Sequence, residues 1–259
     1  MLMFRHASRA SQGARSYQED AAAVWPGDGP LTPRLAPPGD FGLAAVLADG
    51  MGGHAAGDVA SNTICGIFLQ LFAAASGPAL DKLAASLTAA NDAIRAKVTA
   101  NPGLRGMGAT CVGMVLGAAG LEWISVGDSP LYIFRRGTLV RLNADHSLAP
   151  LLDQMVADGL MSADAARADP RRHQLRAAIT GDDLDLIDIS DTPLALEVGD
   201  VVVLASDGLL TLDDEDIRLL LGAHRGDSPD AIADALLHAV DSAGAVHQDN
   251  TTVVVVVAG

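Results

Sequence analysis

Four apolar runs of strand character in this chain of 259 residues each abut an aspartate beside glycine, serine or asparagine: Ala48-Asp49-Gly50, Gly127-Asp128-Ser129, Ser206-Asp207-Gly208 and Asp249-Asn250. Glu19-Asp20 is a fifth acidic position next to a short apolar piece. Apolar runs of this kind are buried by pairing into sheets, and a rigid sheet fixes the side chains at its strand ends. Oxygen donors held in that way are what hard divalent cations such as Mg²⁺ and Mn²⁺ require. Any single Asp-Gly is also an ordinary turn, and spacing alone does not bring the five acidic positions together.

The densest of these stretches is Val46-Leu-Ala-Asp-Gly-Met-Gly-Gly-His-Ala-Ala-Gly57. An apolar strand stops at Asp49, and glycines at 50, 52 and 53 permit tight backbone geometry that lets a carboxylate and a neighbouring carbonyl face one ion. A helical pattern opens directly afterwards. Ile64, Ile67, Phe68, Leu71 and Phe72 form one apolar stripe, and Leu80, Leu83, Leu87, Ile94 and Val98 form a second beyond Gly77-Pro78, which predicts an antiparallel helical hairpin.

Around this centre, the first 24 residues predict a strand, a turn through Gly13–Asp20 and an apolar Ala21–Val24, and the proline-rich span 25–40 predicts a loop. After the hairpin the period changes. Runs 109–116, 121–126, 131–134 and 139–142 predict an antiparallel meander, with Pro130 opening a strand. Residues 147–180 predict an excursion from the sheet, a flap with one short helix at Leu151–Leu160 and a polar remainder. A buried strand at Val201–Leu204, helices near 214–221 and 229–242, and a last strand at Val253–Val257 complete a single domain.

The chain carries 32 acids against 17 basic residues, a formal net charge of −15. That balance argues against binding nucleic acid or an anionic membrane through surface charge. Acids converging in one cleft would repel each other, and any phosphate, unless cations neutralised them. Cys65 and Cys111 fall within apolar patterns and are expected to be small buried hydrophobes in a reducing compartment. No run approaches a membrane span and the N-terminus has no secretory pattern, so the sequence reads as cytoplasmic and soluble.

The ordered set Arg15-Ser-Tyr-Gln-Glu-Asp20, Asp49-Gly-Met-Gly-Gly-His54 with Gly57, Gly108-Ala-Thr110, Gly127-Asp-Ser129, Asp145-His-Ser147, Ser206-Asp-Gly208 and Asp249-Asn250 resembles the bacterial PPM/PP2C family of metal-dependent Ser/Thr protein phosphatases. Each motif is short and weak alone; seven in the family's order span nearly the whole chain. The resemblance implies an α-β-β-α sandwich of two antiparallel β-sheets flanked by helical hairpins, with a metal cleft at one end. It implies two Mn²⁺ or Mg²⁺ ions bridged by Asp49, the first completed by Asp207 and Asp249, the second served by Glu19 and the Gly50 carbonyl. Asp20 is a nearby acid, Asp128 would hold a third, weaker ion, and Arg15 would grip the substrate phosphate. The implied reaction is hydrolysis of phosphoserine or phosphothreonine by direct attack of a hydroxide shared by the metals.

His54 is open to two readings, a general acid for the departing alkoxide or a structural histidine of the glycine turn; His146 is expected to be structural. The implied partners are phosphorylated proteins made by a cognate Ser/Thr kinase, met by a monomer. Gln18 stands where the family has Asn and retains its hydrogen-bonding capacity. Pro130 stands where Arg commonly follows Gly-Asp-Ser, which predicts an altered substrate preference. The flap arginines at 167, 171, 172 and 176 are either phosphopeptide contacts or a solvated surface. Two other functions fit the same residues: a catalytically silent phosphoprotein-binding module, and a phosphatase of small phosphoesters.

Overall fold

The computed structural model describes residues 2–27, 29–33, 41–52 and 56–259. In chain order the strands are β1 (Phe4–Ser11), β2 (Ala21–Trp25), β3 (Phe41–Ala48) and the short β4 (Gly50–Met51), followed by helices α1 (Ala56–Ala74) and α2 (Ala79–Ala100). Next come β5 (Gly108–Ala109), β6 (Cys111–Gly117), β7 (Gly120–Val126), β8 (Leu131–Arg135) and β9 (Thr138–Arg141). Helices α3 (Ala149–Ala157) and α4 (Ala163–Ala168) precede β10 (Asp188–Ile189) and β11 (Val201–Ala205), and α5 (Asp214–Ala223), α6 (Pro229–Ala243) and β12 (Thr251–Ala258) end the chain.

Two five-stranded antiparallel sheets result, in the orders β1-β12-β11-β8-β9 and β10-β7-β6-β3-β2. The apolar runs that show no alternation in sequence are those buried on both faces. In β11 and β12, Val202, Leu204, Val254 and Val256 meet Leu43, Leu47 and Met114 of the other sheet, while Val201, Val203, Val253 and Val255 pack on Ile217, Ile232 and Leu236 of α5 and α6. In β3, Val46 and Ala48 turn outward onto Ile64, Phe68 and Leu87 of α1 and α2. The layers are therefore helix, sheet, sheet, helix, as the resemblance implies. One basic group is stacked into this packing: Lys82, almost wholly buried, places Nζ 4.4 Å and 4.3 Å from the ring centres of Phe41 and Phe72, a cation–π arrangement that offsets part of its desolvation.

The predicted meander is corrected. β6 pairs with β7 and β8 with β9, but β7 and β8 lie in different sheets. Gly127, at φ +108°, and Pro130, which has no N–H to donate, sit where the chain leaves one sheet for the other, and the Pro130 carbonyl accepts from Ala205 N at 3.0 Å. In the flap, α3 stops at Ala157, before Leu160, and α4 occupies part of the stretch expected to be merely polar. Ser162 caps α4 by accepting from Ala165 N, a local signal of the usual N-cap kind. Both cysteines are free and fully buried; burial raises the Cys65 thiol well above its ordinary pKa and lifts Cys111 to about 12, so neither is a nucleophile. Among the described residues no helix is long and apolar enough to cross a membrane.

Candidate active site

Antiparallel pairing puts the end of one strand beside the start of its neighbour, and the registers carry this across both sheets. Ala48, just before Asp49, is opposite Ala21, just after Asp20; Cys111 is opposite Val126. In the other sheet Ala205 is opposite Val253, Leu131 is opposite Leu204, and Ser11 is opposite Thr251. Every acid named from the sequence therefore falls at one end of the sandwich. Arg15, Glu19, Asp49, Gly50, Asp128, Asp207 and Asp249 line a single cleft of about 280 Å³ there. Asp20 does not line it. It lies behind, with Oδ2 accepting from Ser206 Oγ at 2.7 Å, and it faces a different groove between β1 and β2. His54 lies outside the described residues.

The supporting contacts are mostly ones that sequence reasoning did not supply. Asp49 N donates to Thr110 Oγ1 at 3.0 Å and Thr110 N to the Asp49 carbonyl at 2.9 Å, and Thr110 Oγ1 lies 2.7 Å from Ser129 Oγ beside Asp128. Asn250 Oδ1 accepts from Glu19 N, and its Nδ2 donates to the carbonyls of Gln12 and Tyr17, at 2.8, 2.8 and 2.9 Å. Gln18 does hydrogen-bond, taking Asp20 N on Oε1 and giving Nε2 to the Ser11 carbonyl. Gly50 and Gly57 press together so closely that a Cβ on Gly57 would stand 2.5 Å from Glu19 Oε1 and one on Gly50 2.4 Å from the Glu19 carbonyl. The first turn of α1 thereby closes over Glu19, which only residues without a side chain permit. His146 is structural, its Nδ1 accepting from Gly127 N at 3.2 Å.

The electrostatics are those of negative charges held together. Burial, then the charges of Asp207, Asp20, Asp128 and Asp249, push the Asp49 carboxyl well above the usual carboxylate range. Burial lifts Asp128 to about 7 and Asp20 to about 6, with the Asp207 charge adding to both. Asp207 is raised by burial and by Asp249. Among the described residues, three buried carboxylate oxygens, Glu19 Oε1, Asp20 Oδ1 and Asp207 Oδ1, have no hydrogen-bond partner. Unpartnered buried carboxylates are costly, and an all-oxygen donor set with spare lone pairs suits a hard divalent cation. Among the described residues, no three such side chains already stand in a closed ligating cluster. The carboxylates fit the ions in number and chemistry and would have to draw in around them.

Two further residues border the cleft unannounced by any motif, His173 and Leu175 on the returning arm of the flap. The only signal for them was their position in the expected excursion. That arm is anchored: Leu148 N donates to the Gln174 carbonyl and Arg176 N to the His146 carbonyl. Three flap arginines are spent on flap acids, Arg167 on Asp164, Arg171 on Asp169 and Arg172 on Asp153. Pro130 is buried and is not part of the cleft wall.

Comparison with known proteins agrees with this arrangement. A family profile described as protein phosphatase 2C matches residues 38–220. The serine/threonine protein phosphatase PstP of Mycobacterium tuberculosis is 32% identical over 257 residues, covering 93% of this chain but 46% of its own length, so this chain spans about half of that relative. The serine/threonine phosphatase stp of Listeria welshimeri is 29% identical over 217 residues, 82% of each chain. Among solved structures, the catalytic domain of PstP in complex with two manganese ions superposes with a TM-score of 0.76 at 29% identity, covering 100% of this chain and 99% of that one.

Proposed function

The chain belongs to the protein phosphatase 2C family, and from that footing we propose that it is a metal-dependent hydrolase of phosphoserine and phosphothreonine in proteins. The observation that carries this reading is the set of buried, unpartnered carboxylate oxygens at one end of the sandwich, which makes chemical sense around divalent cations. Asp49, Asp207 and Asp249 would hold one ion, Asp49 with Glu19 and the Gly50 carbonyl the second, and Asp128 a weaker third. When bound, such ions supply an acidified water for attack on phosphorus and offset the charge that would otherwise repel a phosphate dianion.

The chain's own residues bind, orient and support. Arg15, exposed at the mouth and paired with Asp249 at 2.5 Å, can turn its planar guanidinium to a phosphate while remaining beside that acid. Thr110 fixes the Asp49 backbone in both directions, so the carboxylate is aimed by the β3–β6 pairing rather than by a free loop. Ser206 Oγ joins Asp20 to the backbone of Thr252, whose N donates to it at 2.9 Å, and so steadies the turn that presents Asp207. Whether Mn²⁺ or Mg²⁺ serves is set by availability as much as by an all-oxygen site. We further place the protein in the cytoplasm, where two buried free thiols are at home, as a monomer opposing a Ser/Thr kinase.

The test is hydrolysis of a phosphothreonine peptide with Mn²⁺, with chelator, and with Asp207→Asn. Activity that requires the metal and is lost in the variant is the expected result. Metal-loaded, folded protein that releases no phosphate from any phosphopeptide would overturn the reading.

A further inference from the structure

A second cavity, of about 600 Å³, adjoins the acidic cleft and shares Met51, His173 and Leu175 with it. Met51 is the partition. Its neighbours Gly50 and Gly52 line the cleft, while its side chain lies across Gly108 next to Thr180, where a Cβ on Gly108 would meet Met51 Cε at 2.9 Å and Thr180 Cγ2 at 3.0 Å. The far wall is apolar, with Ala177 and Leu184 packed on the helical core. The rim carries Asp183 and Asp185 against one cation, Arg176. Asp183 is fully exposed and only loosely engaged by Arg95, at 3.9 Å, and among the described residues no ion pair involves Asp185 or Arg176.

Resting on the phosphatase reading, we propose that this cavity receives a side chain flanking the phosphorylated residue of the substrate, and that it selects a long cationic one, arginine or lysine. The geometry supplies continuity: neighbours in an extended peptide are about 3.3 Å apart along the chain, so a phosphoresidue in the cleft places a nearby residue over Met51. The chemistry supplies the choice. A lysine or arginine stem covers apolar surface while its charged head reaches outward, here to Asp183 and Asp185. An acidic flank would meet the rim carboxylates Asp183 and Asp185. Three of the four flap arginines are already paired within the flap, which leaves Arg176 alone against the two rim carboxylates.

The experiment compares phosphothreonine peptides that carry Arg, Ala or Glu on either side of the phosphoresidue. Phosphate release gives kcat/KM, and fluorescence anisotropy gives binding without turnover. On one side, Arg should exceed Glu by about tenfold, the size of one charge-assisted contact, and the ratio should shrink at high salt. In the double variant Asp183→Lys with Asp185→Lys, two exposed positions that leave the fold intact, the ratio should fall to about one or invert. Equal handling of all peptides by the native protein, or a ratio that survives the double variant, would sink the proposal. Hydrolysis of every peptide without preference leaves the phosphatase reading standing; charge-dependent binding without hydrolysis of any peptide removes the phosphatase reading and keeps the docking cavity.

Discussion

Arg15 and Asp249, 234 residues apart in sequence, are joined by an ion pair of 2.5 Å at the mouth of the acidic cleft. A group suited to a phosphate dianion is therefore parked on one of the acids suited to a cation, and on the proposed reading ion and phosphate binding would be coupled through it. Both side chains are substantially exposed, 53% and 37%, and an exposed pair of this kind contributes about 0–1 kcal/mol. Arg15→Ala should leave the melting temperature almost unchanged while lowering kcat/KM on a phosphothreonine peptide roughly tenfold to a hundredfold, the weight of a hydrogen bond to a charged group. Arg15→Lys should recover only part, because the fork is lost. A large drop in stability with normal kinetics would assign Arg15 to the fold instead.

Asn250 is the staple between the last strand and the N-terminal turn that carries Glu19. Asn250→Ala removes three hydrogen bonds at a buried position and should cost about 1–3 kcal/mol, read as a fall of several degrees in melting temperature. It should also raise the Mn²⁺ concentration needed for half-maximal activity, since Glu19 N is released. Asn250→Asp keeps the acceptor for Glu19 N and loses both donors, so its metal requirement should lie between the native and alanine values.

The raised carboxyl groups make the metal-free protein pH-sensitive with a definite sign. In the unfolded chain aspartates ionise near pH 4, whereas folded Asp20 and Asp128 titrate at about 6 and about 7. Between those limits the native state holds more protons than the unfolded one, so stability falls as pH rises. In chelator, the urea midpoint should be lower at pH 7.5 than at pH 5. Mn²⁺ should stabilise more at the higher pH, where Asp128 carries its proton less often, and Asp128→Asn should flatten part of the slope measured in chelator.

The acids were legible in sequence because each sits where an apolar run meets a turn, and the helical hairpin was legible because its stripes keep a period of 3.6. The sheet in which each strand lies was not. β6 through β9 look like four equivalent hairpin strands, and the sheet each joins is decided by partners far away in sequence, β3 for β6 and β11 for β8. The supports at Thr110, Ser206 and Asn250 belonged to recognisable motifs, yet their bonds span up to 238 residues and no local pattern encodes them. His173 was invisible for a different reason: a lone histidine in a polar stretch acquires meaning only when the flap folds back to the cleft.

The departure at Pro130 lies two residues from Asp128. Pro130, in place of the family's usual arginine, predicts an altered substrate preference, but the position is buried just before β8 and its carbonyl accepts from Ala205 N. An arginine does reach Asp128, from β9: Arg141 Nη2 donates to the Asp128 carbonyl at 2.7 Å while Nη1 pairs with Asp145 at 3.3 Å, and its charge restrains the rise of the Asp128 carboxyl. Pro130→Arg should therefore lower the melting temperature, through a cation forced into a packed strand start, without changing preference among phosphopeptides. Arg141→Ala should do the converse at the cleft. With the guanidinium gone, the Asp128 carboxyl should rise further, and activity should need more Mn²⁺ at pH 7 than at pH 8, a difference smaller in the native protein. An Arg141→Ala variant whose Mn²⁺ requirement matches the native one at both pH values would show that Asp128 is tuned by its burial alone.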